Sequence, residues 1–321
     1  MVVGEGLRIV FFGTPAFAVP TLVGLANSRH HVVALVSQPD RPKGRGHRVQ
    51  MTPTKEVALA RGIPVLQPER IKDPEFLERI MALRPDLGVV AAYGRIIPDA
   101  LLNAPRHGMI NVHASILPKY RGAAPVHRAV IAGETETGVT IMRLVTELDA
   151  GPTFATRRRA IGEDETSTEV EQALAVLGAG LLLEVVEAIA EGRAFETPQD
   201  DSHATFAPKL TKAEGRIDWR LPAQTIHNVV RGLQPWPLAA ARLGDERVLI
   251  HRTRKMPPTA SAHPTQPGSI IVAEASGIIV ACGDGLPLQI LQLQPEGSRA
   301  MSAREYLAGH KIPAGARLET P

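Results

Sequence analysis

Cysteine is nearly absent from this sequence, and several patterns that mark common kinds of site are missing altogether. Cys282 is the single cysteine in 321 residues, so no disulfide can form within the chain and a reducing compartment is expected. Neither Cys-x-x-Cys nor His-Glu-x-x-His occurs, and we therefore expect no metal site. Gly-x-Gly-x-x-Gly is also missing, which disfavours bound NAD.

Long hydrophobic runs are the second absence. No basic N-terminal region precedes an apolar stretch, and no segment is expected to approach the roughly 18 apolar residues of a membrane span. A hydrophobic content of 44% and a charged content of 21% are typical of soluble globular proteins. We therefore predict a cytoplasmic protein with no membrane partner, and we expect it to be a monomer.

Charge is unevenly distributed along the chain. Residues 1–205 contain 22 Lys and Arg against 24 Asp and Glu, whereas residues 206–321 contain 14 against 9. The basic last third suggests an anionic macromolecule as partner, with nucleic acid favoured over a membrane surface. An excess of this size also arises by ordinary scatter, so the charge alone does not decide between the two interpretations.

Apolar strands alternate with amphipathic helices in the first part of the chain. Strands are predicted at 7–13, 31–37, 64–66, 87–92 and 108–113, and helices at about 54–61 and 73–83. Such alternation predicts an α/β fold with a doubly wound, mostly parallel, Rossmann-like sheet. Ligands of these sheets lie beyond the carboxyl ends of the strands.

Periodicity changes after a long amphipathic helix that is predicted to end near residue 190. We predict a catalytic domain over residues 1–190, a linker over 191–208 rich in Gly, Pro and Asp, and a C-terminal domain over 209–321. The last domain combines one helix, at about 222–232, with short strands separated by glycine turns. This pattern favours a small β-barrel of the OB-like, oligonucleotide-binding type.

The strand that ends at His113 carries the strongest functional signal. Asn111 and His113 lie two residues apart, so both side chains point to the same face of the strand. A lone histidine at this position is often structural, but Asp149 follows a later strand and could orient the ring. The amide could hold an oxyanion while the imidazole moves a proton. Because no activated Ser or Cys accompanies them, direct group transfer is the natural inference.

Several motifs resemble those of a known enzyme family. The segments at 111–118, 120–124 and 148–151 are similar to those of the folate-dependent formyltransferases. The segments at 12–15, 37–46, 216–219 and 234–237 narrow the resemblance to the members that formylate initiator methionyl-tRNA. The resemblance covers nearly the whole chain.

The resemblance implies 10-formyltetrahydrofolate as formyl donor and the amino group of methionine on initiator tRNA as acceptor, for translation initiation. It implies that Asn111, His113 and Asp149 are catalytic. The folate would be bordered by Ser115, Ile116, Leu117 and Pro118.

A basic loop follows the second predicted strand. We predict that it binds tRNA through Arg41, Lys43, Arg45 and Arg48. A solvated charged loop is the alternative. Two other functions stay open: formylation of a small molecule or hydrolysis of 10-formyltetrahydrofolate on the same catalytic domain, and a catalytically silent RNA-binding protein.

Overall fold

The computed structural model describes residues 6–43, 48–257, 266–313 and 315–321. Its contacts divide the chain into two compact units. The first contains residues 1–125, 137–159 and 171–207, and the second contains residues 126–136, 160–170 and 208–321.

The elements up to residue 207 alternate much as predicted. The strands are β1 (Arg8–Gly13), β2 (His31–Val36), β3 (Arg41–Lys43), β4 (Arg48–Gln50), β5 (Val65–Leu66), β6 (Leu87–Ala91), β7 (Met109–His113), β8 (Arg121–Gly122), β9 (Glu136–Arg143), β10 (Thr153–Ala160) and β11 (Phe206–Ala207). The helices are α1 (Val19–Ala26), α2 (Pro53–Ala60), α3 (Pro74–Ala82), α4 (Asp99–Leu102), α5 (Pro125–Ala132) and α6 (Ser167–Ala190).

The main sheet of the first unit is Rossmann-like, with the strand order β10-β9-β7-β6-β1-β2-β5. The five strands from β7 to β5 are parallel to their neighbours, and β9 joins β7 antiparallel. Strands β1 and β6 are almost completely buried, which explains their continuous apolar sequences. On one side of the sheet, Phe12 and Val90 pack in a core with Phe76 and Ile80 of α3.

Helix α6 differs from the expectation that no segment approaches the length of a membrane span. By length and composition alone its 24 residues could cross a membrane. Core helices share these properties, and 44% of its most apolar 18-residue window is buried inside the protein. A Cβ at Gly178 would lie 2.8 Å from a methyl of Val112 and 3.1 Å from one of Val139. Gly178 therefore lets α6 lie directly on β7 and β9.

Beyond residue 207, the described residues of the second unit form an antiparallel sheet and two helices. The elements there are α7 (Ala223–Gly232), β12 (Ala239–Leu243), β13 (Glu246–Lys255), β14 (Ile270–Glu274), β15 (Gly277–Ala281), β16 (Pro287–Pro295), β17 (Met301–Ser302), α8 (Ala303–Gly309) and β18 (Leu318–Glu319). The sheet order is β14-β15-β16-β13-β12-β18. The hydrophobic core of this unit contains Trp219, Ile226 and Tyr306. The predicted helix and short strands are confirmed, whereas α8, β17 and β18 were not predicted.

The segment predicted as a linker, 191–208, lies along the first unit as far as Ala207. Thr197 forms a two-way backbone bridge with Thr153. Strand β11 pairs in parallel with β8, so that Phe206 lies opposite Arg121. The segment has no apolar periodicity because backbone hydrogen bonds attach it to the unit, with few buried side chains.

Candidate active site

The carboxyl ends of β1, β6 and β7 meet at one edge of the main sheet, as parallel strands require. The loops that follow are joined by side chains. Tyr93 O accepts hydrogen bonds from Thr14 Oγ1 at 3.2 Å and from Gln38 Nε2 at 2.8 Å. A Cβ at Gly13 would lie 2.8 Å from the Ala18 side chain, so this strand end requires glycine.

Strand β7 places His113 at this edge, where the ring is 5% exposed. Its Nδ1 lies 3.7 Å from Asp149 Oδ2, and its Nε2 lies 3.0 Å from the carbonyl oxygen of Tyr120. Both ring nitrogens therefore face acceptors. A neutral imidazole has one N–H, whereas the protonated ring has two, so only the protonated ring can donate towards both acceptors.

Asp149 reaches His113 from the loop between β9 and β10. Its backbone has a φ of +49°, a conformation that non-glycine residues adopt uncommonly. Its Oδ2 accepts a hydrogen bond from Gly122 N at 2.8 Å. Gly122 itself has a φ of +121°, and a Cβ there would lie 2.8 Å from Ala207 O. Close pairing of β8 with β11 thus requires glycine at the position whose N–H holds the carboxylate.

Asn111 lies on the same face of β7 as His113 and is half-buried. Among residues 6–43, 48–257, 266–313 and 315–321, its side chain has no hydrogen-bond partner. A half-buried amide with unused donors is available to a ligand. The structure therefore brings all three sequence-predicted catalytic residues to one strand edge.

The predicted folate-binding segment forms a turn directly after β7. The hydroxyl of Ser115 is buried and donates to Lys119 O at 2.6 Å. Leu117 is buried, its N–H donates to Thr140 Oγ1 at 3.3 Å, and a cis peptide bond joins it to Pro118. Ile116 and Pro118 are half-buried. Within the segment 115–118, Ile116 and Pro118 are therefore the residues that are partly exposed.

The basic loop forms a hairpin, which the sequence did not predict. Strand β3 pairs antiparallel with β4, and Arg41 is exposed. Arg45 lies outside the described residues, and only the backbone is described for Lys43 and Arg48. These four residues are called the basic hairpin below.

An ion pair holds the base of the basic hairpin. Lys55 Nζ lies 2.5 Å from Asp40 Oδ2 and donates to Gln67 Oε1 at 2.8 Å. Burial raises the pKa of Asp40, but hydrogen bonds from Lys55 and Gln67 outweigh it and hold the pKa below its ordinary value. Neither Lys55 nor Gln67 stood out in the sequence, because the contacts join segments without a shared periodic pattern.

Two further polar residues near the site were not predicted, namely Arg121 and Gln199. Arg121 is 6% exposed and donates to Gln199 Oε1 and to Asp201 Oδ1. Gln199 donates in turn to the backbone carbonyl oxygen of Asp149. Arg121 belongs to a recognisable motif, but Gln199 lies in a polar stretch that carries no local signal. Within the described part of the chain, no group of three or more His, Cys, Asp or Glu residues could hold a metal ion.

Comparisons with known proteins identify the family of this chain. Residues 7–186 match the family model described as formyl transferase, and residues 209–311 match that of the formyl transferase C-terminal domain. The methionyl-tRNA formyltransferase of Methylococcus capsulatus is 46% identical over 314 residues, which is 98% of this chain and all of the relative. That of Trichlorobacter lovleyi is 47% identical over 98% of this chain and 97% of its own length.

Solved structures share the fold at lower identity. Aquifex aeolicus HypX in complex with tetrahydrofolic acid has a TM-score of 0.65 and 18% identity, over 94% of this chain and 47% of its own length. An N-formyltransferase from Helicobacter canadensis, in complex with folinic acid and dTDP-3-aminofucose, has a TM-score of 0.64 and 14% identity, over 88% of this chain and 98% of its own.

Proposed function

Because this chain belongs to the formyl transferase family, we propose that it transfers a formyl group from 10-formyltetrahydrofolate to the amino group of methionine on initiator methionyl-tRNA. Both family domains are present, and the relatives named methionyl-tRNA formyltransferase align over nearly the whole length of each chain. The product supplies translation initiation. The enzyme is thus a one-carbon group transferase.

The observation that carries the mechanism is the pairing of His113 with Asp149 beside the half-buried amide of Asn111. The neutral amine of methionine attacks the formyl carbon, which forms the new C–N bond and a tetrahedral oxyanion. Asn111 and protonated His113 donate hydrogen bonds to that oxygen. Breaking the bond from carbon to the folate nitrogen releases tetrahydrofolate, and the proton lost by the amine is passed to the leaving nitrogen.

Asp149 supports this chemistry through the ring of His113. The carboxylate lies 3.7 Å from Nδ1 and fixes the orientation of the ring. The Nε2 of the ring also faces Tyr120 O at 3.0 Å. The substrate must therefore compete with that carbonyl for Nε2, and catalytic hydrogen bonds commonly tighten only when substrate is bound.

Folate binding is assigned to the turn after β7. Ser115 and Leu117 support this turn through hydrogen bonds, and Ile116 and Pro118 offer partly exposed apolar surface next to His113. Ligand pockets combine apolar walls with few polar groups. The turn thus provides a wall for the folate close to the catalytic residues.

Transfer RNA is assigned to the basic hairpin and to the Lys and Arg side chains of residues 206–321. The hairpin concentrates four cations between positions 41 and 48, and residues 206–321 contain 14 Lys and Arg against 9 Asp and Glu. Positive charge of this kind attracts phosphates. We also propose that the sheet of the second unit closes into an OB-like barrel. We further propose that the protein is a cytoplasmic monomer.

Formylation of a small molecule and hydrolysis of the folate donor are the competing activities. The Helicobacter canadensis enzyme shares the fold, and fold alone does not select the acceptor. The basic hairpin and the basic last third of the chain favour a polyanionic acceptor, because a small metabolite requires neither.

The direct experiment incubates purified protein with 10-formyltetrahydrofolate and one of three acceptors: charged initiator methionyl-tRNA, an amino sugar nucleotide, or water alone. Mass spectrometry of the released amino acid or sugar detects the added formyl group. We expect formylmethionine only in the first reaction. Formylation of the sugar, or tetrahydrofolate release without an acceptor, would refute the proposed acceptor.

A further inference from the structure

We propose that Gln199 and Arg121 are positioning residues for formyl transfer, because together they join the loop that carries Asp149 to the backbone of residues 120–122, which contacts both His113 and Asp149. The inference rests on the proposed function, since it gives these two residues a task in that reaction. Among the described residues, the hydrogen bonds of these two side chains go to each other, to Asp201 and to the backbone of the Asp149 loop.

The carboxamide of Gln199 is hydrogen bonded on both of its sides. Its Nε2 donates to Asp149 O at 2.9 Å and to Gly151 O at 2.7 Å. Its Oε1 accepts from Arg121 Nη2 at 2.8 Å and from Nε at 3.2 Å. A side-chain amide has two N–H donors and an oxygen with two lone pairs, so this residue is fully used. The reversed amide would place donors against donors, and the network thereby defines its orientation.

Arg121 connects this amide to the strand β8. Its guanidinium is 6% exposed, and it also donates to Asp201 Oδ1 at 2.6 Å, which balances its buried charge. The residue before it provides the carbonyl that faces His113 Nε2, and the residue after it provides the N–H that holds Asp149 Oδ2. The side chain of Arg121 thus ties the backbone between these two contacts to the Asp149 loop.

The Asp149 loop needs such support because its backbone is unfavourable at Asp149 and its side chains pack little there. The backbone of Asp149 is left-handed, with a φ of +49°, and such a conformation persists only where the surroundings enforce it. The preceding Leu148 is 59% exposed, so apolar packing contributes little there. Gln199 binds the carbonyls on both sides of Ala150 and so fixes the peptide that follows the carboxylate. Without it, both carbonyls would be released and the carboxylate could shift.

The test is a double-mutant cycle on formyl transfer to methionyl-tRNA. We expect Gln199→Ala to lower kcat by about 10²-fold, the cost of a misplacement of about 1 Å, with KM unchanged for both substrates. In an Asp149→Asn background, Gln199→Ala should lower kcat no further, because the carboxylate that Gln199 positions is already missing. If Gln199 only supported the fold, its replacement would lower kcat by the same factor in both backgrounds.

Gln294→Ala is the matched control. This half-buried glutamine donates to Ser298 O at 2.8 Å, and its Oε1 lies 3.0 Å from His251 Nε2. Its replacement by alanine therefore also removes a side-chain amide that is hydrogen bonded on both sides. Its kcat should equal that of the wild type. Gln199→Glu is the second variant, in case Gln199→Ala does not fold. It keeps an oxygen for Arg121 but turns a carboxylate oxygen towards the two carbonyls, and its kcat should fall as far.

Equal losses in both backgrounds, or a wild-type kcat, would overturn the inference. Its failure is distinguishable from failure of the proposed function, which would leave the wild-type protein without formylmethionyl-tRNA product. Hydrogen exchange of the Gly122 amide tests the inference without activity. This amide donates to Asp149, so its exchange should accelerate in Gln199→Ala, and unchanged exchange would contradict the positioning role.

Discussion

Replacing Asp149 with Asn keeps the shape of the side chain and removes its charge. The lost partner is His113, whose Nδ1 lies 3.7 Å from the carboxylate oxygen. At an effective dielectric constant of about 20, opposite unit charges about 4 Å apart attract each other by about 4 kcal/mol. The Asp149 side chain is 11% exposed, so solvent weakens the attraction. If half or more of the attraction acts in the transition state, turnover should fall by about 30-fold to 10³-fold.

The assay is single-turnover transfer to methionyl-tRNA with both substrates saturating, so that the chemical step is measured. The amide oxygen can still accept from Gly122 N, and thermal unfolding should therefore change little. Asp86→Asn is the control, since Asp86 accepts a backbone N–H from Arg8 at 2.8 Å in the same unit. A turnover for Asp149→Asn within about threefold of the wild type would refute the argument from charge. An equal loss in the control would refute it as well.

Three further predictions concern the imidazole, the basic hairpin and the stability of the second unit in acid. His113→Ala should lower transfer by about 10²-fold to 10⁴-fold with an unchanged thermal transition, and near-normal turnover would reject its role. Alanine at all four cations of the basic hairpin should weaken tRNA binding, leave folate binding unchanged, and flatten the salt dependence by roughly 0.7 to 0.9 per lost phosphate contact; unchanged tRNA titrations would contradict this. The pKa of Glu305 is lowered to about 2 by the backbone N–H of Ser302 and by Arg299. Its contribution to stability is therefore complete above the ordinary pKa of 4.5 and is lost as the pH falls towards 2. Denaturant unfolding between pH 6 and pH 3 should accordingly show a smaller loss of stability for Glu305→Gln than for the wild type. Parallel curves of unfolding free energy against pH for the two proteins would contradict this prediction.

The order of strands and helices in the first unit, and the pairing of Asn111 with His113, follow from the sequence by itself. Buried parallel strands need continuous apolar residues, as in β1 and β6, and a strand repeats its side-chain direction every two residues. Both are local rules, so they can be applied without knowing the contacts. The uneven charge of the chain and the motifs that resemble formyltransferases are likewise readable from residues alone.

Only the tertiary structure decided which distant segments support the catalytic residues. Gln199 binds the backbone of Asp149, 50 residues away, and Arg121, 78 residues away. It does so from a stretch whose composition predicts a linker. A hydrogen bond between distant polar groups needs one donor and one acceptor in register, and it imposes no repeating pattern on the residues around either. For the same reason, the sequence did not indicate the contacts of Lys55 and Gln67 at the base of the basic hairpin. Periodicity in the sequence reports burial, whereas the fold alone determines which polar groups meet.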